Sequence, residues 1–89
     1  MAKAVAIFEG GVSERRQAAV REDGMVFRRA QVRDPRYGYR WSAWRESGEK
    51  LGHNALAALD STGLRDFYRL SAHNSALVNS DGSVRVRLP

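Results

Sequence analysis

The segment from Phe27 to Trp44 reads FRRAQVRDPRYGYRWSAW and interleaves Arg28, Arg29, Arg33, Arg36 and Arg40 with Tyr37, Tyr39, Trp41 and Trp44. A guanidinium presents a planar fork of donors that matches phosphate oxygens and stacks on rings, and an exposed aromatic offers a face to an unstacked base. Polyanion binding is therefore the chemistry this segment can do. With Arg45 just beyond it, the candidate phosphate contacts are Arg28, Arg29, Arg33, Arg36, Arg40 and Arg45, and the candidate stacking residues are Tyr37, Tyr39 and Trp44. The expectation is a non-enzymatic nucleic-acid-binding accessory or regulatory protein, with DNA and RNA both open. The same residue types are enriched at protein interface hot spots, so a small interaction module, such as an inhibitor, adaptor or assembly factor on an acidic protein surface, is the alternative. Geometry separates the two. One contiguous aromatic patch rimmed by arginines suits a protein partner, whereas arginines spread along a stripe or groove suit nucleic acid.

Other chemistries find less support. The imidazoles, His53 and His73, stand in different segments without metal-ligand spacing, and the chain has no cysteine, so neither a metal nor a cofactor is expected. His73, Asn74 and Ser75 near Asp66 can be drawn as an acid-base cluster, with Arg65 and Arg69 to hold a phosphate, but nothing there fixes a nucleophile. Glu9-Gly10-Gly11-Val12-Ser13 follows a strand yet lacks both the three-glycine dinucleotide pattern and the Gly-Lys-Ser/Thr end of a phosphate loop.

Charge sharpens the polyanion expectation. The chain carries a net charge of +5, and the interval 15–45 sets nine arginines against Glu22, Asp23 and Asp34. A one-sided excess makes a directed field, where a uniform one says little beyond solubility. The length, 89 residues, fits a single small basic domain over 1–89 with a limited core. The apolar run Ala4 to Phe8 is too short for a signal-peptide core or a membrane span, which makes a cytoplasmic location the default.

The elements that must position these side chains follow from alternation and punctuation. Lys3 to Phe8 reads as a strand, and a second strand through Val20 leads into the Asp23-Gly24 pair, read as a two-residue turn that sets Val20 opposite Phe27. Met25 to Arg33 returns, with Arg28 beside Val26, Ala30 and Val32 on one face and Arg29, Gln31 and Arg33 beside Met25 and Phe27 on the other. Asp34-Pro35-Arg36-Tyr37-Gly38 turns the chain, and Tyr39 to Arg45 leaves as a strand that points Trp41 and Trp44 to opposite faces. His53 to Leu59 and Leu64 to Leu77 are expected to be helices, and Ser83 to Leu88 a terminal strand after the Asp81-Gly82 turn. The expected class is α+β: an antiparallel or mixed sheet of four to five strands with two helices on one face. An amphipathic terminal strand on a small core also makes edge-to-edge pairing in a homodimer an expectation.

Overall fold

A computed structural model of the chain describes residues 2–10, 14–58, 67–70 and 76–89. Its centre is an antiparallel meander of β1 (Ala2–Gly10), β2 (Arg16–Arg21) and β3 (Met25–Asp34). Each outer edge of this meander is covered by two short strands end to end. β4 (Gly38–Trp41) and β5 (Arg45–Lys50) pair with successive parts of β3, while β6 (Phe67–Arg69) and β7 (Arg87–Leu88) pair with opposite ends of β1. The described helix, α1 (His53–Ala58), is six residues long and has no buried residue.

This corrects the expected architecture: the described residues form one antiparallel sheet of seven strands with one short helix, not four to five strands with two helices on one face. The expected helix over Leu64 to Leu77 is overturned at Phe67–Arg69, which is strand β6; residues 64–66 and 71–75 of it lie outside the described residues. The nine-residue β1 presents an edge of backbone donors and acceptors, and pairing Phe67 with Gly10, Tyr68 with Glu9 and Arg69 with Phe8 satisfies them. Non-local pairing overrides an imperfect helical stripe. The terminal strand is likewise shorter than expected, reduced to β7 and an isolated bridge between Val78 and Val84.

Both sheet faces carry apolar clusters, which explains why β2 is almost continuously buried rather than alternating. On the Ile7 face, Ala4, Ile7, Ala19 and Phe27 pack with Val78, Val84 and Leu88 from the C-terminal segment. On the Phe8 face, Ala6, Phe8, Ala18, Val20 and Val26 pack with Phe67, and Leu51 and Leu56 lean against them. A bulge between Ala4 and Ala6 lets two alanines of the same parity serve opposite faces.

The β2–β3 hairpin turns through three residues, so Val20 faces Val26 and Ala19 faces Phe27, one residue away from the expected register. Local hydrogen bonds decide this. The Gly24 amide donates to the Arg21 carbonyl at 2.8 Å, the Met25 amide donates to Asp23 Oδ1 at 3.1 Å, and Gly24 adopts φ +94°. A turn followed by a left-handed glycine is the three-residue solution for an antiparallel hairpin.

The expected strand Tyr39 to Arg45 is in fact two strands with a break at 42–44. Ser42 makes the break: its amide donates to the Ala30 carbonyl at 2.8 Å, and its hydroxyl accepts from the Ala30 amide at 3.1 Å. Strand parity is lost across it. Trp41 and Trp44 therefore stand on the same side of the sheet, against the expectation of opposite faces.

Candidate functional site

The β3–β4 hairpin carries most of the candidate residues. β2 pairs with β3 only as far as Ala30, whereas β3 and β4 continue through Gln31↔Trp41, Val32↔Arg40, Arg33↔Tyr39 and Asp34↔Gly38. At about 3.3 Å per residue, these rungs extend a two-stranded arm roughly 10 Å or more past the end of β2. Asp34 organises its tip. Asp34 Oδ1 accepts the amides of Arg36 and Tyr37 at 2.8 and 3.3 Å, and Oδ2 lies 3.4 Å from Arg40 Nε. Gly38, at φ +83°, completes the reversal.

Alternation then distributes the cations. Arg40, opposite Val32, belongs to the Phe8 face, Arg33, beside Tyr39, belongs to the Ile7 face, and Arg36 occupies the tip with the 78% exposed Tyr37. Arg33, Arg36 and Arg40 are all exposed. Among the described residues, Arg33 and Arg36 have no carboxylate within ion-pair distance.

The arm is anchored by Arg29. On the Ile7 face a polar row crosses four strands, from Tyr68 through Glu9 and Gln17 to Arg29. Gln17 is 2% exposed; its Nε2 donates to Glu9 Oε1 at 3.1 Å and its Oε1 accepts from Arg29 Nε at 2.8 Å. The Arg29 guanidinium lies over both tryptophans, 4.7 Å from the Trp41 ring and 4.4 Å from the Trp44 ring. Burial lowers its pKa, with Glu9 opposing that shift. At the far end of the row, a hydrogen bond to Glu14 and loss of water raise the Tyr68 phenol to about 12.

The candidate residues thus divide by role. Arg33, Arg36, Tyr37 and Arg40 project from the arm, Arg29 and Trp44 form its clasp, and Tyr39 has the Arg15 guanidinium 4.5 Å over its ring. Arg28 and Arg45 are direct cross-strand partners on the Phe8 face, at the base of the arm. They border a cleft of about 480 Å³ that also takes in Arg16 and Phe67. Arg15, Arg16 and Phe67 were missed in the sequence because they lie outside the Arg and aromatic run. Adjacent arginines at the entry to β2 face opposite sides, and this is the signal that could have found the first two.

No family model, curated protein or solved structure matches this chain. Among the described residues no helix is long and apolar enough to cross a membrane, and no three His, Cys, Asp or Glu side chains gather as a metal site.

Proposed function

We propose that this protein is a non-enzymatic nucleic-acid-binding protein that docks its β3–β4 arm into the major groove of a DNA duplex. The observation that carries the proposal is the distribution of Arg33, Arg36 and Arg40 over both faces and the tip of a projecting two-stranded ribbon. A flat partner surface is met by cations on one side only. A groove flanked by two phosphate backbones is met by cations on both. The B-form major groove, about 12 Å wide, admits a two-stranded ribbon, whereas the deep and narrow major groove of A-form RNA does not.

The aromatics support the same choice over an acidic protein partner. Tyr39, Trp41 and Trp44 each have a guanidinium against the ring, so charge covers these rings instead of only rimming them. Arg33 and Arg40 hold the backbones in this arrangement, and Arg36 with the Tyr37 hydroxyl reaches toward base edges.

The test is fluorescence anisotropy with labelled duplex DNA, single-stranded DNA and duplex RNA at two or more salt concentrations. Duplex DNA is expected to bind tightest, with log K falling linearly against log salt; Arg33→Ala and Arg40→Ala each lower that slope by roughly one, and Arg36→Ala weakens binding with the slope unchanged. Binding weaker than about 100 μM to every nucleic acid at low salt rejects the proposal, since that is at the weak end of ordinary non-specific affinity.

A further inference from the structure

Beside the arm, the Phe8 face holds a second cluster of cations. Arg28 on β3 lies directly across from Arg45 on β5, and Arg16 on β2 lies diagonally from Arg28 because Arg16 pairs with Ala30 and Ala18 with Arg28. Three arginines from three adjacent strands therefore share one face. Like charges so placed repel and destabilise the pairing.

The local compensation is partial. Arg28 Nη2 donates to Glu49 Oε1 at 2.7 Å, while Arg16 and Arg45 have no ion-pair partner among the described residues. Phe67 supplies the rest: its ring lies 5.8 Å from the Arg16 guanidinium carbon and 5.4 Å from that of Arg28. It reaches them because Gly10, which stands between Phe67 and Arg16 in the ladder, has no side chain to intervene.

The cleft among these groups is open for a structural reason as well. Its base includes Ala30, Val32 and Ser42, short side chains where the ladder passes from β2 to the arm, with the arginines as walls. Its volume of about 480 Å³ falls within the size range of small-molecule sites. Glu46 also borders it, but pairing with Phe27 assigns Glu46 to the Ile7 face.

We infer that the cleft bounded by Arg16, Arg28 and Arg45 over Phe67 is an anion site that takes a phosphoryl group. Guanidinium forks converging from three strands supply charge and directional donors. The bound phosphoryl group offsets the repulsion within the cluster. The site uses none of the arm residues Arg33, Arg36 and Tyr37, so it stands or falls separately from groove docking.

The experiment is an NMR titration of the full chain, observing backbone amides and arginine Nε–H groups, with sodium phosphate, pyrophosphate and adenosine 5′-monophosphate in turn. Saturable shifts centred on Arg16, Arg28, Arg45 and Ser42 are expected. Arg16→Gln or Arg45→Gln should weaken binding about tenfold, consistent with loss of a charge-assisted hydrogen bond, and Arg36→Ala should leave it unchanged. Both replaced residues are exposed, and the same spectra report whether each variant stays folded.

Two outcomes identify the source of the phosphoryl group. Nucleotide binding tighter than that of inorganic phosphate and not displaced by duplex DNA assigns a free phosphorylated ligand; affinity equal to phosphate and lost on adding duplex assigns a backbone phosphate. Shifts that fail to saturate, that follow Arg33 and Arg36 instead, or that survive Arg16→Gln and Arg45→Gln at undiminished affinity overturn the inference. Retained phosphate binding without any duplex binding would sink the groove proposal alone.

Discussion

Replacing Arg29 with alanine separates a residue that builds the proposed nucleic-acid surface from one that touches the ligand. The guanidinium loses a hydrogen bond to Gln17 at 2.8 Å and contacts with two indoles at 4.7 and 4.4 Å. A hydrogen bond involving a charged group contributes about 1.5 to 3 kcal/mol, and each cation–π contact on a half-exposed site about 0.5 to 1 kcal/mol. Desolvating the half-buried cation opposes these gains, so a net loss of about 2 to 3 kcal/mol is expected. For a domain this small that is a fall in Tm of roughly 10 to 20 °C. Urea denaturation followed by tryptophan fluorescence is the assay, since Trp41 and Trp44 are the chain's tryptophans and both touch the group removed. Arg29→Lys should recover less than half of the loss, because an ammonium cannot cover two rings while keeping the Nε bond. DNA affinity should fall in Arg29→Ala through a misplaced arm, with the salt slope unchanged. A destabilisation below about 0.5 kcal/mol, the range of ordinary surface substitutions, would refute the clasp. A slope reduced by one unit would show instead that Arg29 meets a phosphate.

Two glycines with similar backbone angles should respond differently to alanine. A Cβ on Gly24 would lie 2.6 Å from the Leu51 carbonyl oxygen at φ +94°, while one on Gly38 at φ +83° meets nothing within 4 Å. Gly38→Ala is expected to lose only the left-handed penalty of about 1 to 2 kcal/mol, and Gly24→Ala to lose more, as measured by thermal unfolding. Stability should also fall at both ends of the pH range. Hydrogen bonds from Arg21 and from the Met25 amide hold the Asp23 carboxyl well below its ordinary range, so its contribution is present above about pH 4 and lost on further acidification; Asp23→Asn should flatten that acid limb in chemical denaturation. Tyr68 is shifted the other way, to about 12 by its bond to Glu14, so its contribution is fully present below about pH 10 and lost as pH rises from there through about 12; Tyr68→Phe should flatten the alkaline limb.

What was legible in the sequence was local. β1, the strand through Val20, the division of β3 residues between two faces, the Asp34 turn and the start of α1 follow from alternation and turn chemistry, and each is present. What was not legible depended on partners distant in sequence. Phe67–Arg69 is a strand because β1 has an edge to fill, which no property of residues 64–77 announces. The one-residue difference at Asp23-Gly24 came from side-chain capping that selects a three-residue loop over a two-residue one. Ser42 carried the largest consequence for the site: its two bonds to Ala30 break the strand and bring Trp44 beside Trp41 on Arg29. The Arg and aromatic run was visible as composition. Its division into projecting, clasping and cleft-lining residues required the register.

The end-to-end pairing of β4 and β5 along β3 also bears on how this chain behaves at high concentration. Cross-β growth needs a long, straight, uncharged edge on which a second strand can template. On this side of the sheet an incoming strand meets four residues of β4, then the interruption at 42–44, then six residues of β5. That second stretch carries Arg45, Glu46, Glu49 and Lys50 and is bent by Gly48 at φ +84°. The break that places two tryptophans on one arginine thereby also acts as a gatekeeper on this edge, denying an incoming strand a long template.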